Sequence, residues 1–166
     1  KRPFPVVMDQ KNIGGLVSNI STDSRKIKAG ECFVALRGEN HDGHNFIAQS
    51  IAKGAAAVIL ENGEATLKLA HLPPIIQVAN TVTALENLAR SYVAKLSPLL
   101  IAITGSIGKT TTKEITAHLI SSSKPLIKSE KSFNNALGVP LTLLRMDREH
   151  KTGVIEIGAN AFGEIR

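Results

Sequence analysis

Short apolar runs separated by turn residues dominate the first half of the chain. Cys32–Leu36 gives way to a polar, glycine-bounded stretch over Gly38–Gly43, then to His44–Lys53, Gly54 and a second apolar run, Ala55–Leu60. This order predicts strand, loop, helix and strand. In the helical stretch Phe46, Ile47, Ser50 and Ile51 recur at roughly helical spacing, and Gly54 stands where a left-handed C-cap ends a helix. Glu64–His71 reads as another short helix, broken by Pro73-Pro74, and Ile75–Val78 as a strand. Thr81–Leu96 carries Val82, Leu85, Leu88, Ala89 and Tyr92 on one stripe, which predicts an amphipathic helix ending before Ser97-Pro98. A boundary near Asn80–Thr81 divides the chain into residues 1–80 and 81–166, with that helix as the bridge.

The second half opens on Leu99–Thr104, an apolar run of the kind buried on both faces of a parallel sheet. A glycine turn and helix follow in GSIGKTTTKEITAHLI, then a strand over Pro125–Lys128, a helix over Asn135–Met146 and a strand over Gly153–Ile157. The pattern is βαβαβ, part of an open α/β sheet. The fold class expected for the whole chain is therefore α/β, with a small N-terminal domain followed by a partial parallel sheet.

Composition narrows the partners. Twenty Lys and Arg against fourteen Asp and Glu give a net charge of +6, which favours an anionic ligand. One tyrosine, no tryptophan and no dense basic stripe argue against nucleic acid. No apolar run approaches the roughly 18 residues of a membrane span, and KRPFPVVMDQ does not read as a secretory signal. A lone cysteine, Cys32, forms no internal disulfide, so the cytoplasm is the expected compartment. A monomer with neither membrane nor nucleic-acid partner is expected.

The chemistry concentrates between the fourth predicted strand, Leu99–Thr104, and its helix. In Thr104-Gly105-Ser106-Ile107-Gly108-Lys109-Thr110-Thr111 the glycines let successive N–H groups converge on phosphate oxygens. The helix N-terminus adds partial positive charge, Lys109 a full one, and Thr110 a hydroxyl for magnesium. The spacing is G-x-x-G-K-T rather than the longer G-x-x-x-x-G-K-[ST] loop. Glu156 falls at the C-terminal end of the last strand, the edge where open α/β sheets bind ligands. Taken alone it is a solvated strand end; beside a phosphate loop it becomes a magnesium ligand. Asn134 and Asn135 precede a helix, where one reading is capping and the other is orientation of ligand groups. His41 and His44 lack the spacing of a zinc site, and Cys32 reads as a core thiol.

These segments together resemble the Mur ligase family, which adds amino acids or peptides to a nucleotide-linked peptidoglycan precursor at the expense of ATP. ITGSIGKTTTKE looks like that family's shortened phosphate loop; SFNNALGVPLTLL and VIEIGANAFGEI look like segments of its D-alanyl-D-alanine-adding branch. STDSRKIKAGECFVALRGENHDGHNFIAQSIAKGAAAVIL is similar to the N-terminal domain that holds the uridine nucleotide. The resemblance implies ATP and Mg2+ as cofactors, and UDP-N-acetylmuramoyl-tripeptide and D-alanyl-D-alanine as substrates joined through an acyl phosphate. It implies catalytic roles for Lys109 and Glu156, phosphate binding by residues 105–111, metal binding by Thr110 and Glu156, and ligand positioning by Asn134 and Asn135. Ser24, Arg25 and Gly38 become the candidates for the uridine nucleotide, with an ion pair to Asp23 as the alternative for Arg25. Complete members of the family have three domains, so the chain is expected to be part of a ligase, inactive alone. The alternatives are the amino-acid-adding branch and a non-catalytic nucleotide-binding module.

Overall fold

The computed structural model describes residues 17–38, 41–61, 72–121, 125–130 and 133–158. The helix expected over Glu64–His71 lies outside them. The chain divides into two compact units, Lys1–Ala84 and Leu85–Arg166, a few residues beyond the expected Asn80–Thr81 junction. No described strand of either half enters the other's sheet.

In the first unit β1 (Ile20–Ser21), β2 (Cys32–Val34), β3 (Ala57–Glu61) and β4 (Ile75–Val78) form a parallel sheet in that order. Strand β1, absent from the sequence reading, is two residues long and pairs Ile20 with Cys32 and Ser21 with Phe33. Two residues are too few to display a period. Strands β2 and β3 are buried almost throughout, which explains their unbroken apolar character. A 3-10 turn over Gly43–Phe46 precedes α1 (Ile47–Ala52). Asp42 caps that turn, accepting from the His44 N–H at 3.0 Å, so the helix proper starts later than His44. Gly54 has φ +92° and donates to the Ile51 carbonyl at 2.9 Å, the left-handed stop expected from its position. Ile27, Phe33, Ala35, Ile47, Ala55, Val58 and Leu60 make the core.

Helix α2 (Thr81–Leu96) is capped by Asn80, whose Oδ1 accepts from Thr83 N–H at 2.9 Å. Strands β5 (Leu99–Ile103), β6 (Leu126–Lys128) and β7 (Thr152–Glu156) form the second parallel sheet. Helix α3 (Lys109–Ser121) joins β5 to β6, and α4 (Gly138–Leu144) leads from β6 to β7. The spatial order is β5-β7-β6, so the last strand inserts between the first two. All five residues of β7 are buried. Ile103 pairs with Glu156, and the turn leaving β5 therefore starts beside the end of β7.

The expectation that Leu99–Thr104 is covered on both faces is corrected. Leu99 is 64% and Leu100 39% exposed. Among the described residues β5 pairs only with β7 and forms the sheet's edge, where hydrophobic content does not guarantee burial.

Candidate functional site

The turn after β5 supplies a ring of donors. Gly108 has φ +82° and Gly105 φ +147°, conformations that L side chains resist. The first bond of α3 runs from Thr112 N–H to the Gly108 carbonyl at 2.9 Å. Lys109, Thr110 and Thr111 thus keep backbone N–H groups with no partner inside the helix, at its positive end. Ile107 is fully in solvent. Lys109 folds back over the turn: its Nζ donates to Gly105 O at 2.6 Å and lies 3.5 Å from Ser106 O.

Glu156 faces this turn and is only 3% exposed. Its Oε2 accepts from Thr110 Oγ1 at 3.1 Å, its Oε1 from Asn134 Nδ2 at 3.1 Å. Its backbone N–H donates to Ser129 Oγ at 3.0 Å. The structure thereby brings Lys109, Thr110, Asn134 and Glu156 to one sheet edge.

The two asparagines divide their roles. Asn135 Oδ1 accepts from the N–H groups of Leu137 (3.2 Å) and Gly138 (2.8 Å), which is capping of α4. Asn134 is tied to the end of β7 twice, by its side chain on Glu156 and by its carbonyl, which accepts from Gly158 N–H at 2.7 Å. A Cβ at Gly138 would sit 2.3 Å from Phe133 Cα, so only glycine permits the close approach that folds Asn134 toward β7. Both asparagines line a cleft of about 730 Å³ with Glu86, Arg90, Leu100 and Gly158.

Sequence reasoning missed Lys113 and Ser129. Lys113 is fully buried, donates to Ser129 O at 2.9 Å and lies 3.6 Å from Glu156 Oε2. The available signal was a lysine one helical turn after Thr110. Ser129, at the end of β6, had none.

A magnesium ion fits this donor set. Thr110 and Glu156 offer hard oxygens from adjoining elements, and phosphate oxygens and water ordinarily complete such a shell. Among the described residues no group of three or more His, Cys, Asp or Glu could hold a metal by itself.

In the first unit the candidate residues have separate partners. Ser24 is buried and its hydroxyl donates to Gln49 Oε1 at 3.1 Å. Gly38 N–H donates to the His41 carbonyl at 2.9 Å. Arg25 is exposed and grips Asp23 with a two-pronged bond, Nε to Oδ1 and Nη2 to Oδ2, both 2.9 Å. These bonds, with the Arg25 backbone N–H, bring the Asp23 carboxyl down from 3.8 to about 2. A lowered folded-state value stabilises the fold above the ordinary carboxylate range and loses that effect as pH falls toward 2. Asp23→Asn is therefore expected to melt slightly below the parent at pH 7, with the two melting temperatures converging between pH 4 and 2; a constant gap would show that the pair is not the cause. The His44 side chain is 4% exposed; its Nε2 accepts from Glu61 N–H at 3.0 Å, so Nδ1 carries the proton and donates to Asp42 at 2.6 Å. Burial pushes the Cys32 thiol up to about 12, which fits a core thiol and not a nucleophile.

The family description "Mur ligase family, catalytic domain" matches residues 16–93, and "Mur ligase middle domain" matches residues 103–166. The chain is 39% identical over 153 residues to the UDP-N-acetylmuramoyl-tripeptide–D-alanyl-D-alanine ligase of Haemophilus influenzae, covering 90% of this chain and 33% of that protein. To the ligase of the same name in Escherichia coli it is 40% identical over 146 residues, 88% of this chain and 31% of that one. A crystal structure of MurF from Acinetobacter baumannii superposes with TM-score 0.80 at 38% identity, over 89% of this chain and 32% of that one. MurF from Thermotoga maritima in complex with ADP gives 0.76 at 33% identity, over 90% and 34%. The chain spans about a third of the length of these relatives.

Proposed function

The chain belongs to the Mur ligase family, and from that premise we propose that it supplies the uridine-nucleotide domain and the phosphate loop of an ATP-dependent ligase that adds D-alanyl-D-alanine to UDP-N-acetylmuramoyl-tripeptide. The observation that carries this reading is the meeting of Lys109, Thr110 and Glu156 at the ends of β5 and β7. Identities of 34–41% to ligases named for that reaction support the branch.

A carboxylate is a poor acyl donor. Transfer of the ATP γ-phosphoryl group to an oxygen of the precursor's terminal carboxylate yields ADP and an acyl phosphate. The amine of D-alanyl-D-alanine then attacks the carbonyl carbon, and the tetrahedral intermediate expels phosphate, the amine proton leaving to solvent. Both steps shift negative charge among oxygens, so positioned donors dominate their barriers. In this reading Lys109 leaves the carbonyls of its own turn for the β- and γ-phosphate oxygens, and the N–H groups at the start of α3 hold the chain of phosphates. Mg2+, when bound, neutralises charge on those oxygens. Thr110 and Glu156 would hold it, Asn134 fixes the Glu156 carboxylate, and Asn135 sets the approach of α4 beside the cleft. Ser24, Arg25 and Gly38 are assigned to the uridine nucleotide, the Arg25 guanidinium being held ready by Asp23. The reaction belongs to the cytoplasm and to a monomer, with no nucleic-acid partner. Among the described residues no helix is long and apolar enough to cross a membrane.

The test is ligation. A chain of full family length carrying these 166 residues is incubated with ATP, Mg2+, the uridine-linked tripeptide and D-alanyl-D-alanine, and phosphate release and product mass are measured. One dipeptide added per phosphate released is expected; addition of a single amino acid to a shorter precursor instead assigns the other branch. The 166-residue chain by itself is expected to give no product. It is expected to bind UDP weakly, and Arg25→Ala to lower that affinity by about 1–3 kcal/mol; equal calorimetric titrations of the two would remove Arg25 from the site.

A further inference from the structure

We propose that Lys113 is a positioning residue for the metal side of the phosphate site, its ammonium fixing the Glu156 carboxylate against Thr110. The inference rests on the phosphate-site reading above and deepens it. Lys113 Nζ lies 2.9 Å from Ser129 O, 3.1 Å from Glu114 Oε1 and 3.6 Å from Glu156 Oε2, with its side chain wholly out of solvent.

Burying a lysine is costly, and an apolar residue there would normally be more stable. Helix α3 nevertheless turns Lys113 inward while leaving Ile115 56% and Leu119 68% exposed. Thr110 stands three residues earlier on the same helix face, so hydroxyl and ammonium approach the same oxygen, Oε2, one from the rim and one from below. Ser129 closes the arrangement. Its carbonyl accepts from Lys113 and its hydroxyl accepts from the Glu156 N–H, which ties α3, the end of β6 and the end of β7 to a single geometry. Thr110 and Asn134 alone are neutral donors and supply no countercharge to a carboxylate at this depth. Lys113 supplies it at the same oxygen, Oε2, that accepts from Thr110.

The experiment compares ADP binding to a chain of full family length carrying these residues, by calorimetry in excess Mg2+ and in EDTA. Lys113→Met is expected to weaken binding in Mg2+ by about tenfold or more, the usual consequence of losing an outer partner of a metal ligand. Binding in EDTA, held by the turn amides and Lys109, is expected to be unchanged. Lys113→Arg, which keeps a cation facing Glu156, is expected to recover most of the Mg2+-dependent increment. Should Lys113→Met not fold, Lys113→Gln carries the same comparison, since it keeps a donor for Ser129 O without the charge. Equal losses with and without metal would show a structural role only, and no loss in Mg2+ would also overturn the proposal. Failure of the parent chain to bind ADP under either condition would instead remove the phosphate-site reading, and this inference with it.

Discussion

Alanine in place of Lys109 is expected to lower the turnover of a ligase carrying this chain by about three orders of magnitude, with the affinity for the uridine-linked substrate unchanged. Lys109 is the one full positive charge on the turn between β5 and α3, and among the described residues its Nζ is held by the carbonyls of Gly105 and Ser106. Gly105 and Ser106 are exposed residues, so water can replace the lysine at their carbonyls and the fold is expected to stand without the contact. The loss therefore falls on charge developing at the transferred phosphoryl group. Steady-state kcat with saturating ATP, together with a calorimetric titration of the uridine substrate, separates the two effects. A fall smaller than tenfold would take Lys109 out of the phosphoryl-transfer step.

Glu156→Leu is expected to destabilise the second unit by about 3–5 kcal/mol, because it leaves the buried Lys113 ammonium without its interior counter-ion. Glu114 remains near, but it is half exposed and shared with Lys128, so it compensates only in part. The double variant Lys113→Met/Glu156→Leu is expected to regain most of that loss, since paired charges replaced together by apolar groups are often neutral in effect. Urea unfolding of the parent, both single variants and the double variant gives the coupling. Additive effects would show that the two groups do not depend on each other.

Much of the site was legible in the residues because its signals are local. Glycine spacing in front of GKT, an apolar run before it and a helical period after it specify strand, turn and helix without reference to the rest of the chain. Gly54 marked a helix end for the same reason: a left-handed backbone stop is settled within a few residues. The choice between the two asparagines was not legible, since either amide could cap and only the path from Phe133 to Gly138 turns Asn134 to Glu156 and Asn135 to the helix.

By itself the sequence determined the two α/β halves, the phosphate turn and the residue types available to it, all consequences of short-range periodicity and backbone preference. Tertiary structure alone decided that β7 slides between β5 and β6, burying Glu156 beside a turn some fifty residues earlier, while among the described residues β5 has β7 as its one neighbour and leaves Leu99 and Leu100 exposed. It also decided which face of α3 goes inward. The pair Ile115 and Leu119, one turn apart, would suit a core-facing stripe, yet Lys113 and Ala117 are the buried residues. A helix's own pattern ranks its faces by hydrophobicity. A carboxylate and a carbonyl arriving from β7 and β6 made the charged face the one that fits.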